Sequence, residues 1–485
     1  MSKAARVSSI LMERAAKFVA RQAQKHVPYG FENPFLRIPF GPVEAEATAV
    51  DLRVTGAIPS GLDGLYARIG ANPMDVPNPA NYHWFLGDGM VHGVRLLEGR
   101  AMWYRNRWIG SDTVNERLGR QRAPGLRHRM VDTVNTNVIG HAGGIWALVE
   151  AGALPVELSD TLETKRHGFF NTSLRRAFSA HPHRDPATGE LHAICYDVLV
   201  YDHVFYVVIG TDGGLIRDVA IPVRHGPMIH DCAMTATRMV ILDLPITFSL
   251  GAALRGVTFP YQWNTRHAAR IGLLPRDGSA ADTVWFEAPP FFAFHTANAY
   301  DRPDGSVVLD MITYPHMFDR TRQGPEPDSV STFERWTLGP AKGVFTRETL
   351  SDFRQEFPRC DDRRTGQAYR YAYTVGIDLR QTGPQKLHAH DLQTGRILRH
   401  DFGPTHMPAE TIFVPRHGQA DENDGYLLTY VYDLRENSST LTILNAGDVE
   451  GEPAGTIHLP APVPLGFHGN WIPDQVSPQS VFRPY

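Results

Sequence analysis

A chain of 485 residues that is 42% hydrophobic and 21% charged has the balance of a folded globular protein and enough length to bury a large core. Its 48 Lys and Arg against 52 Asp and Glu leave a formal charge of −4, with no basic block beyond the N-terminus, which argues against a nucleic-acid partner. The three cysteines, Cys195, Cys232 and Cys360, are odd in number and far apart, so they outline neither a disulfide framework nor a zinc ribbon and suit a reducing compartment.

Residues 1–30 stand apart. Val7, Ile10, Leu11, Ala15, Phe18 and Val19 recur at roughly helical spacing among Arg6, Arg14, Lys17, Arg21 and Lys25, which predicts a short basic amphipathic helix. The segment lacks the unbroken apolar stretch and cleavage site of a secretory signal, and no later run approaches the twenty apolar residues of a membrane span. The expectation is a cytoplasmic protein whose N-terminal helix packs on the body, reaches a second subunit or touches a membrane surface peripherally. Oligomeric state is not legible.

From about residue 50 short β-branched and aromatic runs alternate with turn sequences such as LEGR (97–100), ATGE (187–190), TDGG (211–214), RPDGS (302–306), LQTGR (392–396) and ENDG (422–425). One helix is expected near 248–256. Residues 31–485 therefore read as a single mostly-β domain, as a barrel, sandwich or propeller. No sequence repeat of about 40 residues chooses among these.

Four histidines sit in turn-rich or aromatic segments where strands are expected to end at a cleft: His181 in FSAHPHRDP, His230 in GPMIHDCAMT, His295 in FFAFHTANAYD and His468 in PLGFHGNW. They are 49, 65 and 173 residues apart, too far for a local zinc clip, so any convergence must come from separate elements. His183, two residues after His181, reads as a turn or supporting residue. His388 and His390 in LHAHD form either an HxH pair or, more simply, the solvent face of a strand.

At these four segments the chain resembles the carotenoid cleavage oxygenase family, which includes carotenoid and apocarotenoid cleavers, retinoid isomerohydrolases and stilbene-cleaving dioxygenases. The resemblance runs from about residue 45 to 475 and extends to FLGDGMVHGV (85–94), NTNV (135–138), WALVEAGALPVEL (146–158), EFPR (356–359) and ETIFVPR (410–416). It implies a seven-bladed β-propeller, capped by loops and a few short helices, with His181, His230, His295 and His468 binding one Fe(II) on its axis. Glu150, Glu356 and Glu410 would then support His230, His295 and His468 in that order, leaving His181 without a carboxylate. Thr136 matches a threonine that crowds an open iron position. Asp88 and His92 are expected to be structural.

An all-imidazole set is chemically coherent, because neutral ligands leave a ferrous ion its full charge and two open positions for dioxygen and substrate. Imidazole ligands also need an acceptor on the second ring nitrogen to fix tautomer and orientation, which is what the three glutamates would supply. The resemblance implies a non-haem Fe(II) dioxygenase that cleaves a C=C bond with O2 into two carbonyl products. Stilbene cleavers in the family carry a lysine where this chain has Val149. With Phe291, Phe292, Phe294 and the apolar stretch 246–263 as candidate tunnel walls, Val149 favours an apolar carotenoid or apocarotenoid substrate. A stilbene or phenylpropanoid cleaver is the alternative, and a non-cleaving polyene isomerase or binding protein a more distant one.

Overall fold

The computed structural model describes residues 33–474 apart from 129–130, 173, 323, 325, 327, 341–342, 378–384 and 419. The helix expected over residues 1–30 lies outside the described residues. Within them, tight hairpins set the architecture. Glu98 and Gly99, with φ of 49° and 71°, form a two-residue turn that closes the Leu97–Arg100 pair. Ala142 and Gly143, at 48° and 72°, do the same between His141 and Gly144. Two successive positive φ values match the right-handed twist of the flanking strands, so each turn returns the chain antiparallel and in register.

Repetition of this unit yields seven antiparallel sheets, the blades of a propeller. Their first strands, in chain order, are Asn137–His141, His183–Arg184, Cys232–Met234, Phe292–Asp301, Glu356–Arg359, Ile412–Pro415 and Gly469–Pro473. Several neighbouring first strands touch around the axis: Phe292–Asp301 meets Cys232–Met234 and Glu356–Arg359, and Gly469–Pro473 meets Ile412–Pro415 and Asn137–His141. Side chains stitch the ring: Asn137 donates to the Ala180 carbonyl (2.7 Å), Asn470 donates to Asn137 Oδ1 (2.9 Å), and Thr296 N–H donates to Asp231 Oδ2 (2.8 Å). The ring closes twice. Gly469–Pro473 joins the N-terminal strand Gly64–Ala71, and the N-terminal strand Val54–Gly56 completes the preceding blade against Gly455–His458.

Because each blade is covered by its neighbours, polar–apolar alternation along a strand does not mark solvent. Every residue of Val307–Tyr314 is buried. This corrects two expectations. His388 and His390 do not face solvent: they are 6% and 2% exposed, Phe353 packs edge-on against His388, and His390 Nε2 meets Thr374 Oγ1 at 3.0 Å. Phe291 does not line a tunnel. It packs against Trp336 of its own blade, with ring centroids 4.8 Å apart. The expected helix near 248–256 is present as Leu250–Leu254, capped by the Ser249 hydroxyl and set between two strands, Ile246–Phe248 and Tyr261–Trp263, that pair outside the blades.

Candidate metal centre

Seven side chains meet at the axis because seven first strands begin there. Thr136, His181, His230 and His468 each lie within two residues before a first strand, as does Glu410; Glu356 opens one, and His295 lies three residues into another. The same position in each blade is thus used for four histidines, two glutamates and a threonine. Glu150 arrives differently, at the end of the second strand of its blade (Gly144–Leu148), where a bridge to Phe178 holds the backbone.

The four histidines converge. Each offers one ring nitrogen to a group whose members all lie within 4.8 Å of one another. The His181 ring centroid is 4.4 Å from that of His468 and 4.6 Å from that of His230. Three of the rings each have a carboxylate at hydrogen-bond distance. His230 Nδ1 is 2.9 Å from Glu150 Oε1, His295 Nδ1 is 2.6 Å from Glu356 Oε2, and His468 Nδ1 is 2.9 Å from Glu410 Oε1. With Nδ1–H donating to carboxylate, Nε2 of each neutral ring carries a lone pair directed at the axis.

This creates an electrostatic demand. Nε2 of His230 and Nε2 of His295 are only 3.2 Å apart, two acceptors facing each other, and the buried Nε2 of His181 has no hydrogen-bond partner. A cation between them satisfies all of these lone pairs at once, and the donor set of four imidazoles is one that suits iron among the first-row metals. Protonation suits the site less well. Burial, reinforced by His468, His230 and His295, holds His181 well below the ordinary histidine range, and burial lowers His468 to about 4 against the pull of Glu410. His295 is the exception: burial opposes its charge, but Glu356 outweighs burial and raises it.

Two of the carboxylates, Glu356 and Glu410, are themselves fixed, through residues that sequence reasoning did not single out. Tyr314 O–H donates to Glu356 Oε1 (3.0 Å), and Phe357 N–H donates to Oε2 (2.6 Å). Gly469 N–H donates to Glu410 Oε2 (2.8 Å), while Arg359 reaches Oε1 (3.3 Å). Burial would raise Glu410, but His468 and Arg359 hold it down to about 2, so it stays a carboxylate. Arg359 lay inside the EFPR segment already noted, whereas Tyr314 ends a fully buried strand with no local pattern to mark it.

His183 sits behind the cluster, where its Nε2 donates to Asp231 Oδ1 (3.1 Å). It opens a strand and does not occupy a turn. Asp88 accepts from Met74 N–H (3.1 Å) and His92 Nδ1 meets the Tyr104 hydroxyl (2.9 Å), structural roles for both.

Two cavities reach the histidines from different directions. One, of about 1140 Å³, meets His230, His295 and His468 and is walled by Phe85, Val149, Phe259, Phe294 and Phe318, with Thr136 beside the histidines. Val149 and Phe294 border this cavity, together with eight residues of the 246–263 stretch. The other, of about 790 Å³, meets His181, His295 and His468 and has a larger polar share in its wall, including Asp160, Asp231, Asp362 and Glu410. Thr136 Oγ1 donates to Asn135 Oδ1 (2.9 Å), and the Thr136 carbonyl accepts from His468 N–H (3.1 Å).

The model of the RPE65 family, retinal pigment epithelial membrane protein, matches residues 40–473. The chain belongs to the carotenoid cleavage oxygenase family. A carotenoid cleavage oxygenase of Mycobacterium tuberculosis is 40% identical over an alignment covering 91% of this chain and 98% of that protein. An isoeugenol monooxygenase of Pseudomonas nitroreducens is 31% identical, covering 89% and 96%. The lignostilbene dioxygenase of Pseudomonas brassicacearum superposes with a TM-score of 0.82 at 28% identity, covering 92% of this chain and all of that one. Cobalt-substituted Synechocystis ACO gives 0.80 at 25% identity, covering 91% and 98%. For this family member the seven-bladed propeller and the four-histidine cluster are therefore found together, as the resemblance implied.

Proposed function

We propose that His181, His230, His295 and His468 hold one Fe(II), that Glu150, Glu356 and Glu410 support it, and that the enzyme cleaves a C=C bond of a carotenoid or apocarotenoid with O2 into two aldehydes. The carrying observation is the juxtaposition of four convergent imidazole nitrogens with a large aromatic-walled cavity. A ferrous ion so bound supplies the means to activate dioxygen without an organic reductant.

The chain's own residues account for the rest. Glu150, Glu356 and Glu410 keep a proton on each Nδ1, which fixes the tautomer that presents Nε2 and raises ring basicity. Phe294, whose ring centroid is 5.2 Å from that of His230, and Phe85, 5.9 Å from Phe294, give a flat apolar polyene a surface beside the histidines and keep bulk water out. Thr136 narrows the approach next to His468, which favours one placement of the alkene. Val149 presents a methyl surface where a phenol binder would need a donor, and that supports a polyene over a stilbene.

The aromatic cavity takes substrates that reside in membranes, and Leu250 and Leu254, each 64% exposed, sit on the short helix that leads into its wall. The basic helix expected over residues 1–30 would add electrostatic attraction to an anionic bilayer. Removing residues 1–30 should then reduce binding to anionic liposomes, and unchanged binding would exclude that role.

The reaction is tested by aerobic incubation of iron-loaded protein with an apocarotenal and, separately, a 4-hydroxystilbene, with products identified by mass spectrometry. Aldehydes from the polyene are expected. Cleavage of the stilbene alone would overturn the substrate assignment, and turnover of neither would overturn the activity.

A further inference from the structure

We propose that the polar cavity along the propeller axis is the path by which a hydrated divalent cation reaches the four histidines, with Asp160 and Asp362 collecting it at the mouth. The inference rests on the reading of those histidines as a metal site.

The histidines form the partition between the two cavities, since His295 and His468 are reached from both. They are otherwise enclosed: His230, His295 and His468 are each buried. A cation must therefore arrive through one cavity or the other. The larger one has a mainly apolar wall that includes Phe85, Phe259, Phe294 and Phe318, and an ion moving between those rings would lose hydration with few polar groups to replace it. The axial cavity replaces water with oxygen ligands. Asp160 and Asp362 line it and are exposed to solvent, whereas Asp231 and Glu410 line it and are buried next to the histidines.

The cations in the same cavity are already engaged. Arg95 pairs with Asp474 (2.6 Å), Arg359 with Glu410 (3.3 Å), and Arg184 donates to the carbonyls of Gly140 (2.5 Å) and Gly189 (3.1 Å). Asp362 has only a long contact to Arg359, at 3.5 Å, and its side chain is 72% exposed. Asp160, Asp231, Asp362, Glu410 and Asp474 line this cavity against Arg95, Arg184 and Arg359, so carboxylates are in excess, and a cleft in which one sign of charge predominates raises the local concentration of the opposite ion. Hard carboxylate and amide oxygens bind a divalent ion loosely enough to pass it on to imidazole nitrogens, which suit a first-row transition metal better.

The test follows cobalt(II) uptake by the metal-free full-length chain in a stopped-flow spectrophotometer, comparing wild type with an Asp160→Lys/Asp362→Lys double variant. Both residues lie at the surface, so the fold is retained, and final cobalt content reports whether it is. Uptake is expected to be about tenfold slower in the variant at low ionic strength, with the two rates converging as salt rises. Both proteins should end at one cobalt per chain. Filling the aromatic cavity beforehand with an apocarotenal should leave the rate unchanged. Equal rates at low salt, or uptake blocked by the apocarotenal, would overturn the route while leaving the metal site intact. A wild-type chain that binds no cobalt would instead overturn the metal-site reading itself.

Discussion

His181 and the other three histidines occupy the same place in four blades, yet they are held in different ways. His230, His295 and His468 each lean on a carboxylate at 2.6–2.9 Å, and two of those carboxylates, Glu356 and Glu410, are anchored by further donors. His181 has no carboxylate. Its position comes from the backbone, where its N–H donates to Ser179 Oγ (2.9 Å) at the entry to a first strand. The contrast shows that convergence is the work of the propeller, whereas tautomer and charge are set by the glutamates. Two different kinds of perturbation should therefore separate.

Removing a converging ring has the largest effect. His230→Ala or His468→Ala is expected to abolish iron binding and activity together, read by metal analysis and product formation. An active, iron-loaded His468→Ala enzyme would overturn the assignment.

Acid titration of the metal-free protein comes next, because it acts on many rings at once. Burial lowers His83, His92 and His390 to about 3, and His141, His192, His388 and His468 to about 4. The unfolded chain takes up these protons near pH 6.5, before the folded one does, so unfolding free energy is expected to fall as pH drops from about 6.5 toward 4. His183, raised by Asp231 against its burial, and His295, raised by Glu356 against its burial, act in the opposite sense and do not offset the larger group. Urea denaturation at stepped pH checks the sign, and stability that rises on acidification through this window would contradict it.

Weakening a support should cost less than removing a ring. Glu356→Ala is expected to reduce metal affinity about 10- to 100-fold, the usual scale for an outer partner of a metal ligand. Ser179→Ala, which removes one hydrogen bond to the His181 backbone and leaves its ring in place, should cost only about 0.5–1.5 kcal/mol of stability and little metal affinity. If Ser179→Ala loses as much metal as Glu356→Ala, the distinction between backbone-set and carboxylate-set rings fails.

Much of this site was legible in the sequence, because each functional residue lies in a short segment, at or near a strand end, that forms a recognisable string. Four histidines, three glutamates, their pairing and the aliphatic Val149 could be read that way. The fold could not be chosen from pattern alone, since the blades differ in strand length and loop content and no repeat is visible. What burial does on a blade was also hidden. Phe291 and Phe294 are three residues apart in one aromatic run, yet one packs on Trp336 of its own blade and the other lines the cavity. His388 and His390 alternate as a solvent face would, but a neighbouring blade covers them. Tyr314 was missed for the same reason, being polar only at the end of a buried strand.

The most direct test of the account joins metal to chemistry in one experiment: iron content and dioxygen consumption measured with an apocarotenal, for wild type and His468→Ala in parallel. The account predicts about one iron per wild-type chain and one dioxygen consumed per alkene cleaved, with both lost in the variant. Oxygen-dependent cleavage by the iron-free variant, or stoichiometric iron in the wild type without any oxygen uptake, would contradict it.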